Sequence, residues 1–125
     1  IAANLDSHQI ANLSAEAHKL GLEVLLEVHN KEEIEKSPLE NVDIVGVNNR
    51  NLKNFAESNI NASLELYEFL PKNLALISES CISETETVKL LRNVGYNGFL
   101  MGENFMKTQN PAKTLEDFVA KMKTA

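Results

Sequence analysis

Residues 22–48 read LEVLLEVHNKEEIEKSPLENVDIVGVN, and this stretch decides the fold. Its opening LEVLLEV (residues 22–28) and its closing DIVGV (residues 43–47) are rich in Val, Ile and Leu and read as strands. Between them Asn30 stands three places before Glu33, the spacing of a helix start, and Pro38 stops that helix within about two turns. A strand, a crossover helix and a second strand in this order make parallel neighbours.

The same alternation continues in both directions. Upstream, Ile10, Leu13, Ala17 and Leu20 recur at three- and four-residue steps and predict one apolar helix face, with Gly21 where a C-terminal cap belongs. Before them Ile1, Ala2 and Ala3 read as the tail of an apolar strand, and a start without Met reads as a cut through something longer. Downstream, a polar connection over residues 48–59 leads to a helix holding Leu64, Leu66, Tyr67 and Leu70 and stopped by Pro71. LALIS (residues 74–78) is a strand; Ser83 and Glu86 then have capping-box spacing ahead of Val88, Leu91 and Val94, and Gly95 ends the helix. GFLM (residues 98–101) is the fourth full strand, and Pro111 opens a helix with Leu115, Phe118, Val119 and Met122.

Strand starts near Leu22, Asp43, Leu74 and Gly98 lie roughly twenty to thirty residues apart, the size of a βα unit, so a parallel sheet is expected. No linker divides residues 1–125, which read as a single segment. Such repetition suits an open doubly wound sheet or a closed eight-stranded barrel, and the barrel needs ~250 residues. Four strands and a stub make about half of one.

Composition excludes several classes. A hydrophobic content of 43% suits a chain that buries a core, and 12 Lys+Arg against 18 Asp+Glu, with no basic run, speaks against nucleic acid. The single cysteine, Cys81, forbids an intrachain disulfide and suits a reducing compartment. No apolar stretch approaches the ~18 residues of a membrane span and no basic, apolar leader opens the chain, so a soluble cytoplasmic protein is expected. His8, His18 and His29 show no metal-ligand spacing with Asp, Glu or Cys, so no metal is expected; His8 and His18 read as a solvated helix face, and His29 as a turn residue, with a place behind the site residues as its other reading.

In both architectures functional groups gather beyond the carboxyl ends of the strands. Here those ends deliver Glu27 and His29, then Asn48, Asn49 and Arg50, then Glu79, Ser80 and Cys81, then Gly102 and Glu103. Strand neighbours point to opposite faces, so Leu26 and Val28 share a face that Glu27 does not. Glu27 is either a desolvated general base or one end of a structural ion pair with a helix lysine, and Glu79 has the same two readings. Arg50 offers a guanidinium fork for a carboxylate or phosphate, against a solvated-loop reading; Asn49 reads as a satisfier of loop backbone. Ser80 and Cys81 precede a helix start, and Gly102 and Glu103 open a turn, so backbone amides at the two places would cradle an anion. Neither Ser80 nor Cys81 has a base placed for a nucleophile. Phe99, Phe105 and Phe118 read as core.

LEVLLEVH, DIVGVNNRNL, LALISESCI and GFLMGENFM, in this order and at these spacings, closely resemble the C-terminal half of indole-3-glycerol phosphate synthase, a (β/α)8-barrel enzyme of tryptophan biosynthesis. The resemblance covers nearly the whole chain and implies an α/β fold, a partial (β/α)8 TIM barrel from the end of strand four through helix eight. It implies a carbon–carbon lyase without cofactor that converts 1-(2-carboxyphenylamino)-1-deoxyribulose 5-phosphate to indole-3-glycerol phosphate. By the same resemblance Glu27, Asn48 and Glu79 are the catalytic set, and Arg50, Ser80, Cys81, Gly102 and Glu103 bind this phosphorylated substrate. The family usually has glycine where this chain has Cys81, and a side chain there restricts the local dihedrals. Its catalytic lysines lie on strands one and three, so the chain alone is expected to be inactive. Its expected partner is the missing N-terminal half-barrel or a second copy of itself. Two further readings stand beside this one, a non-catalytic half-barrel assembly module and another phosphate-binding barrel such as phosphoribosylanthranilate isomerase.

Overall fold

The computed structural model describes residues 1–51 and 59–124. Four strands, β1 (Leu25–Val28), β2 (Ile44–Asn48), β3 (Ala75–Glu79) and β4 (Gly98–Leu100), form one sheet in the order β1-β2-β3-β4, with every neighbouring pair parallel. Helix α1 (Ser7–Lys19) precedes the sheet, and α2 (Lys31–Lys36), α3 (Asn61–Leu66) and α4 (Thr85–Val94) are the crossovers. After β4 come a short α5 (Glu103–Met106) and α6 (Pro111–Lys123). A doubly wound sheet reverses its strand order at a switch point. Strands laid down in strict chain order are instead the wall of a barrel, and the chain is the partial (β/α)8 barrel that the resemblance implied.

Alternation gives the sheet two unlike faces. Leu26, Val28, Val45, Val47 and Leu76 are buried in one core with Ile10, Leu66, Leu70, Val88, Leu91 and Tyr96 from the helical layer. The residues between them share the other face: Leu25 lies level with Ile44 and Ala75, Glu27 with Gly46 and Ile77, and Asn48 with Glu79 and Leu100. Leu25 and Leu100 on this inner face are 41% and 55% exposed.

Local chemistry explains most element ends. Asp6 caps α1 by accepting from the Gln9 amide while Gln9 reaches back to the Asp6 amide, and Asn110 caps α6 through the Lys113 amide ahead of Pro111. The end of α1 is a Schellman motif: Gly21, at φ +76°, donates to the His18 carbonyl and Leu22 to the Ala17 carbonyl, which a β-carbon at 21 would strain. Gly95 ends α4 as its spacing predicts.

Four expectations are corrected. Ala2–Asn4 form a 3-10 turn, not a strand tail; the Asn4 and Leu5 amides donate to the Ile1 and Ala2 carbonyls, so backbone bonding is met locally rather than by a ladder. The first strand starts at Leu25, because Leu22 is spent on the helix cap and the Val24 amide donates to Asp43 Oδ2 at 2.6 Å. Leu13 and Leu20 are exposed, since α1 meets the core through Ile10 and Ser14. His18 stays exposed on α1 as expected, and its Nε2 meets Asp43 Oδ2 at 2.8 Å; this bond, with that of the Val24 amide, holds Asp43 below the usual carboxylate range. The Ser83–Glu86 capping box does not form; Glu84 is the N-cap of α4 without a side-chain cap bond, and Glu86 engages Lys89 at 2.9 Å instead. Of the polar connection over residues 48–59, residues 52–58 lie outside the described residues. Among the described residues no helix is long and apolar enough to cross a membrane.

Candidate functional site

The inner face carries its polar groups at the carboxyl ends of the strands. Glu27 stands level with Gly46, and Asn48 one step further along stands level with Glu79. Asn48 joins two predicted groups: its Nδ2 donates to Glu27 Oε2 at 3.1 Å, and its Oδ1 accepts from the Arg50 amide at 2.8 Å. Arg50 then reaches across to the start of α5, with a guanidinium nitrogen 2.7 Å from Glu103 Oε2.

Glu79 is the most unusual of these residues. It is 1% exposed, and neither carboxyl oxygen has a hydrogen-bond partner among the described residues. A carboxylate so placed is costly, so burial, with the Glu27 carboxylate beside it, pushes Glu79 up to about 8. The carboxyl fits because the residue beneath it is Gly46: a β-carbon there would lie 2.2 Å from Glu79 Oε1. Two carboxyls therefore neighbour each other, Glu79 holding its proton at neutral pH and Glu27 accepting from the Asn48 side-chain amide.

Arg50, Ser80, Cys81, Gly102, Glu103 and Lys107 contribute to the lining of a second feature, a cavity of about 350 Å³ between the β3 and β4 ends. Ser80 and Cys81 both have left-handed backbones, at φ 70° and 61°, so the side chain at 81 stands on a conformation that favours glycine. The Ser80 amide donates to the Leu100 carbonyl at 3.1 Å, closing the ladder to β4, so an anion would meet its hydroxyl and not its amide. Helix α4 starts only at Thr85, so its first amides stand further from Ser80 and Cys81 than the spacing suggested. Lys107 was missed by sequence reasoning; its four-residue offset from Glu103 on a short helix was the available signal.

Asn49 is structural. Its amide donates to Ser78 Oγ at 3.0 Å and to the Ser80 carbonyl at 3.1 Å, while its Oδ1 accepts from the Ser63 amide at 3.1 Å and hydroxyl at 2.8 Å. This buried knot ties β2 to α3 and β3 behind the site. His29, read from sequence as a turn residue, packs between Glu27 and Glu33. Among the described residues no three His, Cys, Asp or Glu side chains are grouped to hold a metal ion.

A family model described as "Indole-3-glycerol phosphate synthase" matches residues 1–118. A Bacteroides thetaiotaomicron protein of that name is 47% identical over 121 residues, covering 95% of this chain and 45% of its own length. A Salinibacter ruber protein of the same name is 41% identical over 115 residues, covering 92% of this chain and 42% of its own length. Among solved structures, a chain in the crystal structure of the Amycolatopsis orientalis BexX/CysO complex superposes with TM-score 0.58 at 15% identity, over 95% of this chain and 50% of its own, a likeness of fold alone. The chain spans less than half the length of the curated relatives it matches.

Proposed function

The chain belongs to the indole-3-glycerol phosphate synthase family, and from that premise we propose that it supplies strands five to eight of a barrel that makes indole-3-glycerol phosphate. The substrate would be 1-(2-carboxyphenylamino)-1-deoxyribulose 5-phosphate, which closes a ring and loses carbon dioxide and water. Ring closure delivers a proton to the carbonyl oxygen, and dehydration delivers a second to the departing hydroxyl. One proton then leaves as the indole forms. The reaction therefore needs a group that arrives protonated and one that arrives bare.

The observation that carries this reading is the carboxyl pair: Glu79, buried over Gly46 and pushed up to about 8, beside Glu27, whose Oε2 accepts from Asn48. Glu79 can give a proton at neutral pH and Glu27 can take one. The cavity with Arg50 and Lys107 suits the phosphate, which needs cationic and hydroxyl donors. The remaining cationic acids would come from complementary strands outside these residues, so the chain alone would not turn over. Family membership displaces the phosphoribosylanthranilate isomerase reading.

The test is complementation. The chain is assayed for indole-3-glycerol phosphate alone, and again after assembly with the remaining barrel segment of the Bacteroides thetaiotaomicron relative. We expect product only from the assembled barrel, with Glu27→Gln and Glu79→Gln each lowering kcat by about 10²-fold or more. Turnover by the isolated chain at the level of a complete barrel would refute the need for a partner. A folded, assembled barrel that forms no indole would refute the lyase.

A second reading rests on Leu25 and Leu100, apolar residues that lie exposed on the inner face of an open sheet. On that reading the chain is an assembly module whose open face pairs with the missing half-barrel or with another copy.

A further inference from the structure

His29 follows β1 and lies between two carboxylates from different elements. Its Nδ1 is 3.3 Å from Glu33 Oε1, its Nε2 is 3.7 Å from Glu27 Oε2, and its side chain is 12% exposed. Glu33 is itself fixed: Oε1 also accepts from the His29 amide at 2.9 Å, and Oε2 accepts from Asn30 Nδ2 at 3.1 Å. The Glu33 amide donates in turn to Asn30 Oδ1 at 2.8 Å, so the cap that starts α2 also immobilises the carboxylate behind the imidazole.

An ionised carboxylate only accepts hydrogen bonds, so Nδ1 carries the hydrogen in this contact. In the neutral ring Nε2 is then a bare lone pair. That atom is buried and has no hydrogen-bond partner among the described residues. Its 3.7 Å gap to Glu27 Oε2 is too short to hold a bridging water and longer than a hydrogen bond, so a small side-chain rotation closes it once Glu27 carries a proton to donate. Asn48 Nδ2 fixes the same oxygen from the other side at 3.1 Å.

We propose that His29 is a positioning residue whose Nε2 accepts from Glu27 Oε2 once that carboxyl has taken up a proton, and shares that proton, with Glu33 setting the imidazole tautomer. A proton taken up by Glu27 passes from Oε2 to Nε2 while the Nδ1–H bond to Glu33 is kept, and it returns by the same path with no net change. Among the described residues the ionisable groups around the exchange are Glu27 on β1, Glu33 on α2 and, next to Glu27, Glu79 on β3, with Arg50 and Glu65 lining the same pocket as His29 and Glu33. This deepens the lyase reading, on which it rests for the role of Glu27. The logic is that of an imidazole oriented by one carboxylate so that its far nitrogen can serve a reacting group.

Two measurements test it. Nitrogen-15 NMR of the 125-residue chain should show neutral His29 with hydrogen on Nδ1 and a bare Nε2. Glu33→Gln should move the population toward the other tautomer, and Glu27→Gln should shift the Nε2 resonance while sparing Nδ1. A ring found with its hydrogen on Nε2 in the unsubstituted chain overturns the proposal. In the complemented barrel, His29→Asn keeps a donor toward Glu33 but has nothing to share, and should lower kcat by about 10–100-fold with KM within about twofold. The pH profile of kcat should change, and added imidazole should restore part of the activity of His29→Ala. An unchanged kcat overturns the proposal, and so does a loss with neither imidazole rescue nor an altered pH profile, which marks a packing role. If the unsubstituted barrel makes no indole, the lyase reading is what fails, and the tautomer still decides the placement of His29.

Discussion

A β-carbon on Gly46 would stand 2.2 Å from Glu79 Oε1 and 3.1 Å from Ile77 Cγ1, so Gly46→Ala must push the buried carboxyl aside. We expect it to cost about 1–3 kcal/mol in the unsubstituted background and much less beside Glu79→Ala, a non-additivity that urea unfolding of the four proteins would measure. Glu79 also sets a pH dependence. Unfolded it titrates near its ordinary 4.5 and folded near 8, so between those values the folded state keeps a proton that the unfolded chain has released. Stability therefore falls as pH rises through that window, by a total of about a few kcal/mol, and levels off above it. Glu79→Gln cannot ionise, so unfolding at pH 5 and pH 9 should show most of that slope gone; an equal slope in both proteins would mean that Glu79 is not the buried acid. At Cys81 the φ of 61° is a conformation that a β-carbon disfavours by about 1–2 kcal/mol. Cys81→Gly relieves that strain but gains freedom when unfolded, leaving a net stabilisation of about 0.5–1 kcal/mol, visible as a rise of a few degrees in Tm. The glutamates, Asn48 and Arg50 were legible as residues because they stand at strand ends. The tautomer-setting contact on His29 was not, because nothing in HN at residues 29–30 says that Glu33 turns back toward it.

Elements were legible where local chemistry is strong. Proline stops, the glycines at 21 and 95 and the Asn30–Glu33 spacing act within a turn of helix, and α1, α2 and α4 end or begin where those signals stand. Ser83–Glu86 failed because a capping spacing is necessary and not sufficient: Glu86 had Lys89 one turn on as a competing partner. The Leu13–Leu20 stripe failed because amphipathic spacing reports which residues share a face, not whether a neighbouring layer covers it. The knot around Asn49 joins elements that no local signal connects. Asn49→Ala would take the acceptor from the buried Ser63 amide and the donor from the Ser80 carbonyl, and would leave the Ser63 and Ser78 hydroxyls only each other at 2.6 Å, for an expected cost of about 2–4 kcal/mol. Chemical denaturation would check it, and a loss under about 0.5 kcal/mol would show the knot to be dispensable.

At the scale of the molecule, β1 and β4 are the outer strands of an open parallel sheet whose inner face carries exposed Leu25 and Leu100 beside its carboxylates. Such a surface is expected to associate, so light scattering should find species heavier than the 13.9 kDa monomer, and Leu25→Lys with Leu100→Lys should shift them toward it. A stable monomer of the unsubstituted chain at working concentration would contradict the assembly reading. The sequence by itself determined the βα alternation, the parallel sheet and the side chains that stand at its carboxyl ends, because periodicities of two and 3.6 residues and helix caps act over a few neighbours. Only the tertiary structure decided that Glu79 seats on Gly46 beside Glu27, that Asn48 bonds Glu27 and that His29 lies between two carboxylates. Those contacts depend on the register between strands and on the water that their packing removes, and neither is a property of any one segment.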